Sequence, residues 1–408
     1  MQTIRAETQK GLVEGSCDER FGAVAEEFVR NFAERGELGA SVSLKLEGET
    51  LVDLWGGTAD AATGRPWTED TVSVVFSSTK GATALCAHIL ASRGKLDIEA
   101  PVAEIWPEFA VAGKEKATVR MMLDHSVGVP VLRDPAKADC IQDWDYMTER
   151  LAAQAPFWEP GTRNGYHALT FGFTVGEIVR RVSGKSLGSF FRDEVAGPLG
   201  IDFWIGLPEE IEPRVAPILA ELRPPPQETP FSAALVQPGS IPNLFIFNSG
   251  TWGTSGVNSR AGHAAEIGAA NGITNARGLA GLYAPLANGG GGLVDADTLA
   301  RMSEVSMATH LDATLMLPTR FALGFMKSMD NRRRTIGGDS VIIGRTAFGH
   351  VGAGGSIGFA DPECGLSFGY TMNRRLSGIL MNERGQSLID AAYRALGYRS
   401  DASGCWLR

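Results

Sequence analysis

The stretch TVSVVFSSTKGATALCAHIL, residues 71–90, changes character in its middle. Its first six residues are largely apolar and β-branched, as in a short buried strand, whereas the rest is rich in Ala and Leu, as in a buried helix ending at Gly94. Ser77-Ser78-Thr79-Lys80 occupies the junction. One helical turn carries residue 80 back beside residue 77, so the Lys80 amine meets the Ser77 hydroxyl and the apolar helix buries it. A desolvated lysine has a lowered pKa and can exchange protons with a serine, while a helix N-terminus offers backbone N–H groups to a developing oxyanion. The competing reading is that Ser77 or Ser78 caps the helix and Lys80 is solvated. A second Ser-x-x-Lys, Ser92-Arg93-Gly94-Lys95, contains the helix-ending glycine, so its two side chains need not share a face.

Another nucleophile pattern competes with this one. Gly-x-Ser-x-Gly occurs as GKSLG at Ser186, GGSIG at Ser356 and GLSFG at Ser367, in a chain with 50 glycines. Its mechanical meaning requires a sharp strand-to-helix turn, with an acid and then a histidine downstream. None of the three has that setting. Ser186 lies between helical stretches, Ser356 and Ser367 flank a DPECG turn in strand-like runs, and no histidine follows Ser356.

Outward from residue 77 the period of the apolar residues changes twice. Residues 19–35 place Phe21, Val24, Ala25, Phe28, Val29 and Phe32 at helical spacing, and ASVSLKLEG and ETLVDLWGG alternate as a β-hairpin. From about 100 to 290 the pattern is helical pieces broken by Pro and Gly (TVRMMLDHS, DYMTERLAAQ, GFTVGEIVRRVSG, SLGSFFRDEVAGPLG), with a proline-rich loop from ELRPPPQETP to LFIFN. Strand-like runs return at RFALGFMKS, TAFGHVGAGGSIGFA and LSFGYTMN before a last helix at GQSLIDAAYRALG. The expectation is a sheet built from both chain ends, residues 1–76 and 291–408, around a mostly helical region at 77–290, forming one catalytic unit.

With FSSTKGATA, LDHSVGVP, GYHALTFGFTVGEIV, AGPLGI and FGHVGAGGSIGFADPECGLSFGY in this order, residues from about 20 to 396 resemble serine hydrolases of the class C β-lactamase and penicillin-binding-protein type, closest to family VIII carboxylesterases. The resemblance implies an α+β, β-lactamase-like (serpentine) fold: a mixed, mainly antiparallel sheet flanked by helices, with an inserted helical region. It makes Ser77 the acylated nucleophile, Lys80 its buried partner and Tyr166, in Tyr166-His167-Ala168, the general base. A phenol beside Lys80 as an ammonium is then stabilised as phenolate. The family's Lys-Thr-Gly falls on His350-Val351-Gly352, so the N–H groups of Ser77 and Ala353 form the oxyanion hole, with Gly354 and Gly355 leaving room for substrate along the strand and His350 lining the site.

Two motifs depart from the lactamases. Ala168 replaces the asparagine that holds an antibiotic's amide side chain, and His350 and Val351 replace the lysine and threonine near its carboxylate. These losses point to esterase activity on neutral, small to medium acyl esters, with β-lactamase, peptidase or amidase and acyl-transfer activities as alternatives on the same residues. Aromatic residues of the middle loop, Phe245, Phe247 and Trp252, are candidates for the acyl or alcohol site. His125 reads as structural, His167 as turned away from the site, and His88, His263 and His310 as lacking carboxylates at ligand spacing.

Composition bounds the remaining possibilities. The formal charge is −9, and the densest basic run, Arg332-Arg333-Arg334, reads as a solvated turn, so nucleic acid is not an expected partner. MQTIRAETQKGLVEGS lacks the apolar core of a signal peptide, and no stretch approaches the ~20 apolar residues of a membrane span. Five scattered cysteines without a Cys-x-x-Cys pair suit a reducing cytoplasm and imply neither disulfide framework nor zinc site. No metal or cofactor is implied, and the expected partner is a small-molecule ester.

Overall fold

The computed structural model describes residues 1–221, 228–334, 339–378 and 380–408. Its centre is an antiparallel sheet in the order β1 (Gln2–Thr8), β2 (Gly11–Cys17), β4 (Glu49–Asp60), β3 (Gly39–Leu46), β7 (Leu366–Met372), β6 (Ile357–Asp361) and β5 (Phe348–Val351), with Arg65–Pro66 pairing to β4. The two chain ends meet where β3 pairs with β7, Val42 opposite Tyr370. Both strands alternate strictly at this seam. Leu366, Phe368, Tyr370 and Met372 enter the core shared with α1 (Gly22–Glu34) and α6 (Glu383–Ala395), while the small residues between them face the other side.

That other side is covered by α5 (Ala276–Ala287), which is seated by two glycines. Gly358 of β6 and Gly369 of β7 are cross-strand partners. A Cβ on Gly358 would lie 2.7 Å from the Tyr283 ring, and one on Gly369 2.3 Å from the Ala276 carbonyl oxygen. Here the helix backbone and a tyrosine ring lie flat on the sheet because neither strand carries a side chain at that point. The glycines closing GGSIG and GLSFG therefore serve helix packing.

The helical part of the chain surrounds α2 (Thr79–Ser92). Nearly every residue of α2 is buried, and it packs against α4 (Thr170–Ser183), which ends in the left-handed Gly184 as its sequence signals. Between them in sequence lies α3 (Trp144–Ala153), N-capped by Asp143. Three short strands, Ser73–Val74, Ile273–Thr274 and Phe203–Trp204, form a ribbon that leads into α2.

Several expectations are corrected. The first 17 residues form the hairpin β1–β2, read above only as a polar start; Ile4 and Ala6 alternate with charged residues, and Ala6 pairs with Val13. Of RFALGFMKS only Thr319–Phe321 is a strand, paired with Met307–Thr309, and TVRMMLDHS yields one short helix, Val119–Leu123. The proline run at 222–227 lies outside the described residues, but the loop beyond it contains two helices, Pro230–Leu235 and Ile241–Phe247, each with a proline at its start and a Thr or Ser N-cap.

Candidate active site

The segment before α2 is tied down on both sides. Val75 N–H donates to Gly272 O (2.9 Å), and Val75 O accepts from Ser78 N–H (3.1 Å) and from the Ser356 hydroxyl (2.9 Å). Thr79 Oγ1 accepts from Gly272 N–H at 2.8 Å and donates to Phe76 O. Between these anchors Phe76 is held at φ 47°, a conformation costly for a bulky residue. The consequence is a tight bend that leaves the next residue, Ser77, partly exposed, while Ser78 and Lys80 are buried.

Lys80 Nζ has three partners: Ala168 O at 2.7 Å, Ala269 O at 3.0 Å and Ser77 Oγ at 3.2 Å. Among the described residues no carboxylate offsets its charge, and burial holds its pKa well below the usual lysine value. A neutral amine has two N–H donors and one lone pair. The two carbonyls take the donors, which leaves the lone pair for the Ser77 hydroxyl proton. Ser78 makes no side-chain cap on α2; its hydroxyl is directed at His350 O (3.1 Å) and Ser356 O (3.3 Å).

Tyr166 comes from a loop held by a residue that sequence reasoning missed. The buried Asp312 carboxylate accepts the N–H of Tyr166 (3.0 Å to both oxygens), of Thr314 and of Leu315. The Tyr166 ring stacks on Phe321 (5.8 Å between centroids) and lies 4.6 Å from Lys80 Nζ. Burial pushes its pKa above the usual phenol value, and the approach of its hydroxyl to Ser77 acts in the opposite direction without reversing this. The approach does not meet the geometry of a hydrogen bond, and the hydroxyl has no hydrogen-bond partner among the described residues. Burial thus acts against the expected phenolate–ammonium pair, disfavouring the charged form of each group.

Three histidines surround this centre as neutral rings. His167 donates from Nδ1 to Gly165 O (2.7 Å) and accepts Val129 N–H at Nε2, with a pKa lowered by burial to about 3. His125, at φ 68°, accepts His167 N–H and packs 4.9 Å from the Tyr166 ring. Burial lowers the pKa of His350 well below the usual value; its Nδ1–H donates to Val351 O (2.9 Å), and its ring lies 6.0 Å from that of Tyr166, with Nε2 unpartnered among the described residues. Elsewhere, His263 does find a carboxylate, Glu212 at 2.7 Å, supplied by a residue too far away in sequence for spacing to signal it.

The loop after β5 closes as a turn, Gly352 N–H to Ser356 O (2.7 Å) and Gly355 N–H to Gly352 O (2.9 Å). Since Gly352 O points into the turn, the trans peptide directs Ala353 N–H out of it. Among the described residues, no backbone acceptor engages the N–H of Ala353 or of Ser77. Beside the two glycines expected to leave room for substrate, the Cβ positions are filled by the protein itself: one on Gly354 would meet the Met372 Cε and Arg375 Cα, and one on Gly355 the Asn382 side-chain amide. Gly354 O is held by Asn382 Nδ2 (2.6 Å) and by Arg384 (3.2 Å), itself paired inside the protein with Glu37 (2.6 Å).

Of the loop aromatics, Trp252 is buried and packs edge-on against Phe76 (6.2 Å), beside Ser77. Phe245 packs on the core cluster that includes Tyr166, whereas Phe247 is 71% exposed. Arg375, also missed, lies over the Phe76 ring at 5.3 Å. Two cavities, of about 560 and 290 Å³, lie elsewhere, and neither is lined by Ser77, Lys80 or Tyr166. Among the described residues no cluster of His, Cys, Asp or Glu could hold a metal ion, and no helix is long and apolar enough to cross a membrane.

An antiparallel sheet closed by both chain ends, with a Ser-x-x-Lys at the mouth of its buried helix, defines a serine hydrolase of β-lactamase-like α+β fold. The chain belongs to the beta-lactamase family, whose model matches residues 25–392. It is 38% identical over 388 residues to the esterase/beta-lactamase LipL of Mycobacterium tuberculosis, covering 90% of this chain and 85% of that one. A crystal structure of a family VIII carboxylesterase superposes with a TM-score of 0.82 at 40% identity, over 94% of this chain and 99% of the other. A penicillin-binding-protein homologue from Caulobacter crescentus gives 0.80 at 36% identity, with the same coverage.

Proposed function

We propose that the protein is a serine carboxylesterase that hydrolyses small to medium acyl esters through an acyl-enzyme on Ser77. The observation that carries this reading is the environment of Lys80, whose buried Nζ meets two backbone carbonyls and the Ser77 hydroxyl. Lys80 takes the Ser77 proton as Oγ attacks the ester carbonyl. Charge on the carbonyl oxygen is met by the N–H groups of Ser77 and Ala353. Tyr166, whose ring lies 4.6 Å from Lys80 Nζ, gives its proton to the departing alkoxide as the carbon–oxygen bond breaks and takes one from Lys80 in return. A water then attacks the acyl-enzyme, its proton taken by the same pair, and the acid leaves with Ser77 restored.

Relatives described as a family VIII carboxylesterase and as an esterase/beta-lactamase support ester hydrolysis. Ala168 and His350, where lactamases have asparagine and lysine, argue against efficient β-lactam turnover. The cysteines, free among the described residues, fit work in the cytoplasm.

The test is a panel of p-nitrophenyl esters of increasing chain length, with a chromogenic cephalosporin, on wild type, Ser77→Ala and Ser356→Ala. Ester turnover is expected to fall by at least about 10³-fold in Ser77→Ala and to persist in Ser356→Ala, with little cephalosporin turnover in any of them. Full activity in Ser77→Ala, or its loss in Ser356→Ala alone, overturns the assignment.

A further inference from the structure

Arg375 lies on β8 (Arg374–Leu376), which pairs in parallel with the short strand Leu219–Glu221. Three observations single it out. First, a Cβ on Gly354 would come within 3.0 Å of Arg375 Cα and Cγ, so Arg375 flanks the turn that carries Ala353 N–H. Second, its guanidinium covers Phe76, the residue before Ser77, and Trp252 packs against the same ring, so cation and aromatics form one wall beside the serine. Third, neighbouring Arg384 is held by Glu37 and Gly354 O, but among the described residues no carboxylate or hydrogen-bond acceptor meets Arg375, although it is largely withdrawn from water.

A half-buried cation without a counter-ion is costly, and the cost is recovered when an anion arrives. Burial disfavours the charged forms of Lys80, His125 and His350, whereas a guanidinium keeps its charge, so Arg375 is the permanent cation of this wall. Building on the carboxylesterase reading, we propose that Arg375 recognises a carboxylate on the substrate, so that acidic esters are preferred over neutral ones. This departs from the sequence-based expectation of neutral esters, which rested on Ala168 and on His350 and Val351 standing where the lactamases have asparagine, lysine and threonine: here the positive charge comes from another strand.

The carboxylate can belong to the acyl or to the alcohol half of the ester, and two matched pairs of substrates separate these cases. One compares the p-nitrophenyl monoester of adipic acid with p-nitrophenyl hexanoate; the other compares 3-(hexanoyloxy)benzoate with phenyl hexanoate. The readout is the ratio of kcat/KM for the anionic to the neutral ester, which a general loss of folded enzyme leaves unchanged. In one pair the ratio is expected to fall about tenfold in Arg375→Met, mainly through KM, and less in Arg375→Lys, which keeps the charge. In wild type it is expected to fall as ionic strength rises. A ratio unchanged in Arg375→Met and by salt in both pairs overturns the proposal, as does an equal loss on both members of each pair. Failure of the underlying reading looks different: Ser77→Ala would then still turn over the neutral esters.

Discussion

Lys80 does chemistry by being expensive to fold. Burial keeps its folded pKa well below 10.5, so between the two values the unfolded chain binds a proton that the folded chain does not, and stability rises with pH across that window. Lys80→Met removes the cost; it is expected to raise Tm at pH 7 by on the order of 2 °C and to lose that gain as pH nears 10.5. Scanning calorimetry at both pH values checks this, and a gain independent of pH would mean the amine stays charged when folded. The Ser77–Lys80 relation was legible because one helical turn dictates it. Asp312 and Arg375 were not: each reaches the site across more than a hundred residues, and neither sits in a spacing that a local rule recognises. Tyr166 was found only through resemblance, since its neighbours in sequence carry no pattern of their own.

Among the elements, the seat of α5 decides what the Gly-x-Ser-x-Gly matches mean. Ser356 is a buried clip to Val75 O, Ser186 caps the helix that follows it by accepting Ser189 N–H, and Gly358 and Gly369 admit a helix. Gly369→Val would drive a branched side chain against the Ala276 carbonyl and the Ala280 amide, backbone that cannot turn aside. A loss of roughly 3 kcal/mol or more is expected in urea unfolding; near-wild-type stability would mean that α5 shifts freely on the sheet. The period of two in β3, β4 and β7 and the apolar spacing of α1 were readable because one face of each meets a core. The hairpin β1–β2 was not, because its outer strand β1 is the sheet edge, where charged residues keep the edge unsociable and dilute the alternation.

The whole molecule has an acid-side weakness distributed through its interior. His88, in the middle of α2 and away from the serine, donates from Nε2 to Leu323 O (2.8 Å), and burial lowers its pKa to about 4. The unfolded chain therefore takes up a proton near pH 6.5 that the folded chain refuses until about 4, and stability falls as pH drops through that interval. His88→Gln is expected to flatten the fall relative to wild type, by on the order of 3 kcal/mol between pH 6.5 and 4. Parallel pH–stability curves for the two proteins would show that His88 is protonated inside the fold. The buried carboxyls Glu37 and Asp312, pushed up by burial, act in the opposite sense, so the difference between the proteins is the clean measure.

The seam between β3 and β7 also sets a schedule. Ser41 and Thr371 share a 2.8 Å hydrogen bond across 330 residues of chain. At ordinary rates of protein synthesis those residues leave the ribosome on the order of tens of seconds apart. Throughout that interval the hairpin β3–β4 waits with one edge open, and the nascent chain must carry its most adhesive strand past the entire helical region before its mate exists.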